Sequence, residues 1–226
     1  MPGSRTEARR RWPVWYWIAA AVALPVLALL ALFVGPVPLF KEYYTPSEGM
    51  EPTLLKNDRL LARMRRPDPL GRGDIIFFRV GTSIYVKRIA ALPGDRIALR
   101  RGMVILNGRP VPQTPVPSNK VVVYDAGTEP PRQAVPLTRQ ILKEQFPGEP
   151  APHQILDTGP SFEDDYPETR VLPGHVFVLG DNRDNSADSR VPRIEQGVEQ
   201  LPVSDITGTA WIYLWGPSHK FRQRIH

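Results

Sequence analysis

The chain has 226 residues, enough for one membrane anchor and one sizeable domain. Its 26 prolines and 17 glycines, against 23% charged residues, argue against a helical bundle and for short strands joined by turns; without cysteine, disulfides and thiolate metal sites are excluded. Much of the net charge of +6 sits in Arg5 to Arg11 and Lys220 to Arg224. Such clusters suit phospholipid headgroups at least as well as nucleic acid, and no nucleic-acid partner is expected.

From Trp12 to Phe40 no residue is charged, and the most apolar part, Trp15 to Val34, would span ~30 Å as a helix. That is one bilayer crossing. A cleavable secretion signal would have a shorter apolar core and a small-residue cleavage site, which Gly35-Pro36-Val37-Pro38 does not offer. Arg9, Arg10 and Arg11 precede the segment, while Lys41 and Glu42 cancel beyond it, so the positive-inside rule puts residues 1–14 in the cytoplasm and everything after Lys41 outside.

Beyond the anchor the chain reads as mainly β. Tyr43 to Leu61 reads as an extended segment and a turn. Asp74 to Val80 and Ile84 to Leu92 are apolar strands joined by Gly81-Thr82-Ser83, and Met103 to Val111 carries the hairpin signal Asn107-Gly108. Residues 112–173 hold 12 of the 26 prolines and only short apolar runs such as Val121-Val122-Val123, as a smaller inserted subdomain would. Strand character returns at His175 to Leu179 and at Ile206 to Trp215, where alternation puts Trp211, Tyr213 and Trp215 on one face. A β core over 41–111 and 174–216, followed by a basic tail at 217–226, completes the predicted layout.

Four segments stand out: Pro46-Ser47-Glu48-Gly49-Met50-Glu51-Pro52-Thr53-Leu54, Arg72-Gly73-Asp74-Ile75-Ile76, Tyr85-Val86-Lys87-Arg88-Ile89 running on to Asp95, and Gly180-Asp181-Asn182-Arg183-Asp184-Asn185-Ser186-Ala187-Asp188-Ser189-Arg190. In this order, behind an N-terminal anchor, they resemble the signature boxes of the bacterial type I signal peptidases, the serine/lysine peptidases of family S26. The resemblance runs from the anchor to about Trp215 and is weakest in the insertion. It implies a signal-peptidase-like β fold, no cofactor or metal, and exported preproteins with small residues at −1 and −3 as substrates, cut on the outer side of the cytoplasmic membrane.

Lys87 has an independent argument. It lies in an apolar strand with Tyr85 and Ile89 on its face, and burial lowers a lysine pKa by disfavouring the ammonium; a neutral amine near pH 7 is a general base. The resemblance places the same residue at the catalytic lysine. It also implies that Ser186 orients the Lys87 amine and that Asp181 and Asp188 pair with Arg88 and Arg190 to brace the loop. Substrate pockets would be lined by Thr45, Met50, Leu54, Tyr85 and Val86, with Tyr43 and Leu60 as weaker assignments, all of them equally readable as core.

The departure is Gly49. The family keeps its nucleophilic serine at this position, so the backbone N–H and the Ser47 hydroxyl, the implied oxyanion donors, are present while the attacking oxygen is missing. Three functions follow: a signal peptidase impaired or altered at the nucleophile, a membrane-bound signal-peptide receptor that does not cut, and a family member devoted to conjugation or pilus components. Metal chemistry finds no spacing among His153, His175, His219 and His226.

Overall fold

The computed structural model describes residues 13–34, 39–117, 140–218 and 220–225. The expectations for Arg5 to Arg11, Gly35 to Pro38, Val121 to Val123, His219 and His226 lie outside the described residues. The chain divides into two units, residues 1–40 and 41–226. In the first, helix α1 spans Val14–Val34, 21 residues with Pro25 inside and no acidic or basic side chain. It is long and apolar enough to cross a membrane.

The second unit is built of strands. In chain order they are β1 (Phe40–Tyr44), β2 (Arg59–Arg63), β3 (Ile75–Val80), β4 (Ser83–Ala91), β5 (Arg96–Arg100), β6 (Met103–Leu106), β7 (Arg109–Pro110), β8 (Gln113–Pro115), β9 (Gln140–Glu144), β10 (His153–Asp157), β11 (Tyr166–Arg170), β12 (His175–Leu179), β13 (Leu201–Pro202) and β14 (Ile206–Trp215). They form a seven-stranded sheet in the order β1-β2-β14-β3-β4-β12-β13, a four-stranded sheet β11-β5-β6-β7 and a three-stranded sheet β10-β9-β8. The fold is mainly β with one N-terminal apolar helix, as the composition requires.

Turn chemistry sets the hairpins. Val80 pairs with Ser83, leaving Gly81 (φ 58°) and Thr82 as the link between β3 and β4. Asn107 and Gly108 both adopt positive φ, 52° and 76°, the conformation a tight β6–β7 connection demands. Residues 112–173 contribute β8, β9 and β10, and also β11, which pairs with β5 of another sheet.

One face assignment changes. Register shifts between Ala210 and Ile212 and between Tyr213 and Trp215 interrupt simple alternation in β14. A bulge inserts an extra residue and re-aims the side chains that follow. Tyr213 is therefore buried, its hydroxyl donating to the Thr53 carbonyl, while Trp211 and Trp215 lie beneath the guanidinium groups of Arg63 and Arg59 at 4.6 and 4.8 Å from their ring centroids. The three aromatics do not share one face.

Candidate active site

Strand β4 delivers two consecutive cations to opposite faces, because successive side chains of a strand alternate. Lys87, opposite Ile76 on β3, is buried and forms no ion pair among the described residues. Burial is the largest influence on it and pushes its pKa down, with Arg190 adding to the effect; Asp188 and Asp181 oppose it without prevailing. Its amine borders an open cleft of ≈ 370 Å³.

The Gly49 segment forms the facing wall. It is a succession of turns rather than an extended run: Glu51 N–H donates to the Glu48 carbonyl and Leu54 N–H to that of Met50. Ser47 and Gly49 are thus not the neighbours on one side of a strand that an extended reading makes them. Gly49 is not among the glycines with positive φ, so its backbone suits an L side chain. A Cβ added there would stand 2.9 Å from the Lys87 Nζ, 3.3 Å from the Asn185 carbonyl oxygen and 3.8 Å from the Ser186 Cα. The lysine amine occupies room that a side chain at residue 49 would claim.

Ser186 departs from the arrangement that the resemblance implies. Its hydroxyl is buried without a hydrogen-bond partner, so the Ser186–Lys87 bond implied by the resemblance is not formed. Ser186 also abuts Gly180, where a Cβ would lie 2.1 Å from its Oγ.

The flanking pairs are present. Arg88 donates from Nε and Nη2 to Asp181 at 2.8 and 2.7 Å, and Arg190 donates from Nε and Nη2 to Asp188 at 2.9 Å each. Burial alone raises both carboxyl pKa values, but Arg88 and Arg190 outweigh it and hold Asp181 and Asp188 below the usual range. Asp188 also accepts the Gly180 N–H at 3.0 Å, fixing the start of the loop that carries Ser186.

The proposed substrate residues divide. Tyr85 lines the cleft, together with Ser47, Gly49 and Lys87. Met50, Leu54 and Leu60 are buried in one cluster with Phe77 and Tyr213, and Tyr43 and Val86 pack against it. Thr45 is buried too, its hydroxyl donating to the Leu55 carbonyl at 2.6 Å. These six support the cleft wall rather than line it.

Sequence reasoning missed other contributors. Pro46, Glu48, Lys56, Asn185 and Ala187 also line the cleft. Asn182 holds the Gly49 segment, its side chain donating to the Glu48 carbonyl at 3.1 Å and its backbone N–H to the Gly49 carbonyl at 3.3 Å. Both asparagines lay inside a quoted motif, which was the available signal. Behind Arg88 lie Thr53 and Arg183, which also sit inside the quoted motifs, and Glu149, His153 and Glu144, for which no spacing gave notice.

Known proteins resemble this chain in sequence across most of its length. Residues 15–215 match the family model described as signal peptidase, peptidase S26. A signal peptidase I of Bacillus caldolyticus is 33% identical over 84% of this chain and 85% of its own, and one of Bacillus amyloliquefaciens 27% identical over 93% and 92%. A signal peptidase I from Enterococcus faecalis V583, solved by crystallography, matches at 18% identity and a TM-score of 0.33 over 65% of this chain and 97% of that one. With a family match that covers most of its length and a relative one-third identical across both chains, this protein belongs to the signal peptidase family, peptidase S26.

Proposed function

We propose that the chain is a signal peptidase I that receives exported preproteins on the outer side of the cytoplasmic membrane and hydrolyses them after a small-x-small site with Lys87 as general base. The observation that carries this reading is the buried Lys87 amine, without an ion-pair partner among the described residues, beside Gly49 in an open cleft. A neutral amine accepts a proton from the attacking group and returns it to the departing amine nitrogen. The Gly49 N–H and the Ser47 hydroxyl are the donors assigned to the developing oxyanion. With no hydroxyl at residue 49, the attacking group is water: its oxygen bonds to the scissile carbonyl carbon, its proton passes to Lys87, and the peptide C–N bond then breaks.

The arginine triplet before α1 supports an inside N-terminus, with residues 41–226 outside. Preproteins would lie extended along the cleft, their alternate small side chains against Tyr85 and Ala187.

Gly49 also supports a second reading, in which the chain holds signal peptides without cutting them. One comparison decides: cleavage of a preprotein in detergent by the chain as it stands and by Gly49→Ser. The peptidase reading expects slow, Lys87-dependent cleavage from the first and fast cleavage from the second. Tight binding with no cleavage by either overturns it in favour of the receptor.

A further inference from the structure

The face of β4 opposite Lys87 carries a buried charge cluster that the reaction as proposed does not use. His153, at the start of β10, is 4% exposed. Its Nδ1 lies 2.9 and 3.0 Å from the two carboxylate oxygens of Glu149, in the turn between β9 and β10, and its Nε2 lies 3.4 Å from Glu144 at the end of β9, within ion-pair distance but without a hydrogen bond. The Phe146 ring covers it at 5.1 Å between centroids. Glu144 is paired with Arg183, and Glu149 stands 3.5 Å from Arg88, which holds Asp181. Three carboxylates thus face two arginines and one imidazole. These six groups sum to neutral only when His153 is protonated, and an unbalanced buried charge is destabilising.

The cluster leads to the cleft. Asp181 and Arg183 flank Leu156 of β10: Leu156 N–H donates to the Asp181 carbonyl at 2.8 Å, and Arg183 N–H to the Leu156 carbonyl at 3.0 Å. Between them Asn182 holds the carbonyls of Glu48 and Gly49. Whatever seats β10 against residues 181–183 therefore seats the Gly49 backbone.

We propose that His153, as an imidazolium clamped between Glu144 and Glu149, is a positioning residue that docks β9 and β10 onto the Asp181–Arg183 segment and so fixes Gly49 against the Lys87 amine. This deepens the peptidase reading and rests on it for the meaning of the cleft. Burial opposes the charge on His153, but the two glutamates outweigh it and raise its pKa, with Asp181 helping and Arg88 opposing. Asp74, which also feels Arg88 and Glu149, has its own pKa raised, chiefly by burial. As pH rises through the raised value, the cluster gains a net negative charge and its hold on residues 181–183 loosens.

The test uses the full chain in detergent. Imidazole ¹⁵N shifts of His153, assigned against His153→Gln, are expected to show both ring nitrogens protonated at pH 7. A neutral ring there overturns the proposal, whether or not any variant folds. His153→Gln is expected to lower both the pH 7 acetylation rate of Lys87 by acetic anhydride and the affinity for a labelled signal peptide by about tenfold, a modest misplacement penalty. Adding Glu149→Gln restores neutrality and should recover both. An unchanged Lys87 acetylation rate in folded His153→Gln overturns the proposal. If acetylation responds as expected but the unmodified chain binds no signal peptide, the peptidase reading fails and the positioning role stands.

Discussion

Lys87 and Arg88 are consecutive on β4, and both are buried. Lys87 meets no carboxylate within ion-pair distance among the described residues and gives up basicity; Arg88, 1% exposed, is met by Asp181 and Glu149, and its pKa is raised because those carboxylates outweigh burial. Burial by itself therefore does not decide what a cation becomes. For the lysine, burial prevails over the more distant Asp188 and Asp181; for the arginine, whose guanidinium stays charged in any case, paired carboxylates outweigh it. A strand that separates these environments by one residue places a reactive amine directly against its own rigid support.

The reactive face is broken or completed by chemistry alone. Gly49→Ser is expected to raise preprotein cleavage by about 10³-fold or more, because it restores an attacking oxygen to a site that retains its base. The added Cβ requires that the Lys87 amine, the tip of a flexible side chain, withdraw and that the Asn185 carbonyl, 3.3 Å away, give by a few tenths of an ångström. Adding Lys87→Met to that variant should abolish the gain. Rates measured on one preprotein decide this, and a comparable rate from the unmodified chain would remove Gly49 from the nucleophile position.

The supporting face is broken by the same substitution with the opposite sign. Arg88→Met strands Asp181 and Glu149 in the interior and should cost about 3 to 5 kcal/mol in denaturant unfolding. Lys87→Met removes an unpaired buried amine and should be neutral or stabilising by about 1 kcal/mol. Equal losses at both positions would refute the contrast.

Proton linkage sharpens it further. Lys87 loses its proton at a lower pH in the native chain than at the unfolded value of about 10.4, so the native state holds fewer protons over that interval and stability rises with pH across it. On the supporting side Glu144 is pulled down from 4.5 to about 2, against its burial, chiefly by Arg183. Its contribution is complete above 4.5 and is lost as pH falls through about 2. Unfolding followed across pH should show both limbs, with Lys87→Met flattening the alkaline one and Glu144→Gln the acid one.

The smallest effect lies far from both faces. Trp215 is 61% exposed beneath Arg59. Trp215→Ala should cost about 0.5 to 1 kcal/mol, the range of an exposed cation–π contact. A larger loss would mean that the β14 surface contributes to the core.

The apolar run alone determined α1, the hairpin residues determined the β3–β4 and β6–β7 turns, and the position of Lys87 in an apolar strand foretold its burial. These are local properties, set by periodicity, by φ and by the few residues that tolerate a given turn. Tertiary structure decided the rest. Bulges in β14 turned Tyr213 inward and left Trp211 and Trp215 with arginines, and turns after Ser47 withdrew Met50 and Leu54 from the cleft into the core. His153, Glu144 and Glu149 met Arg88 and Arg183 only because strands distant in sequence are layered together. A buried charge is defined by what surrounds it in three dimensions, and no spacing along the chain carries that information.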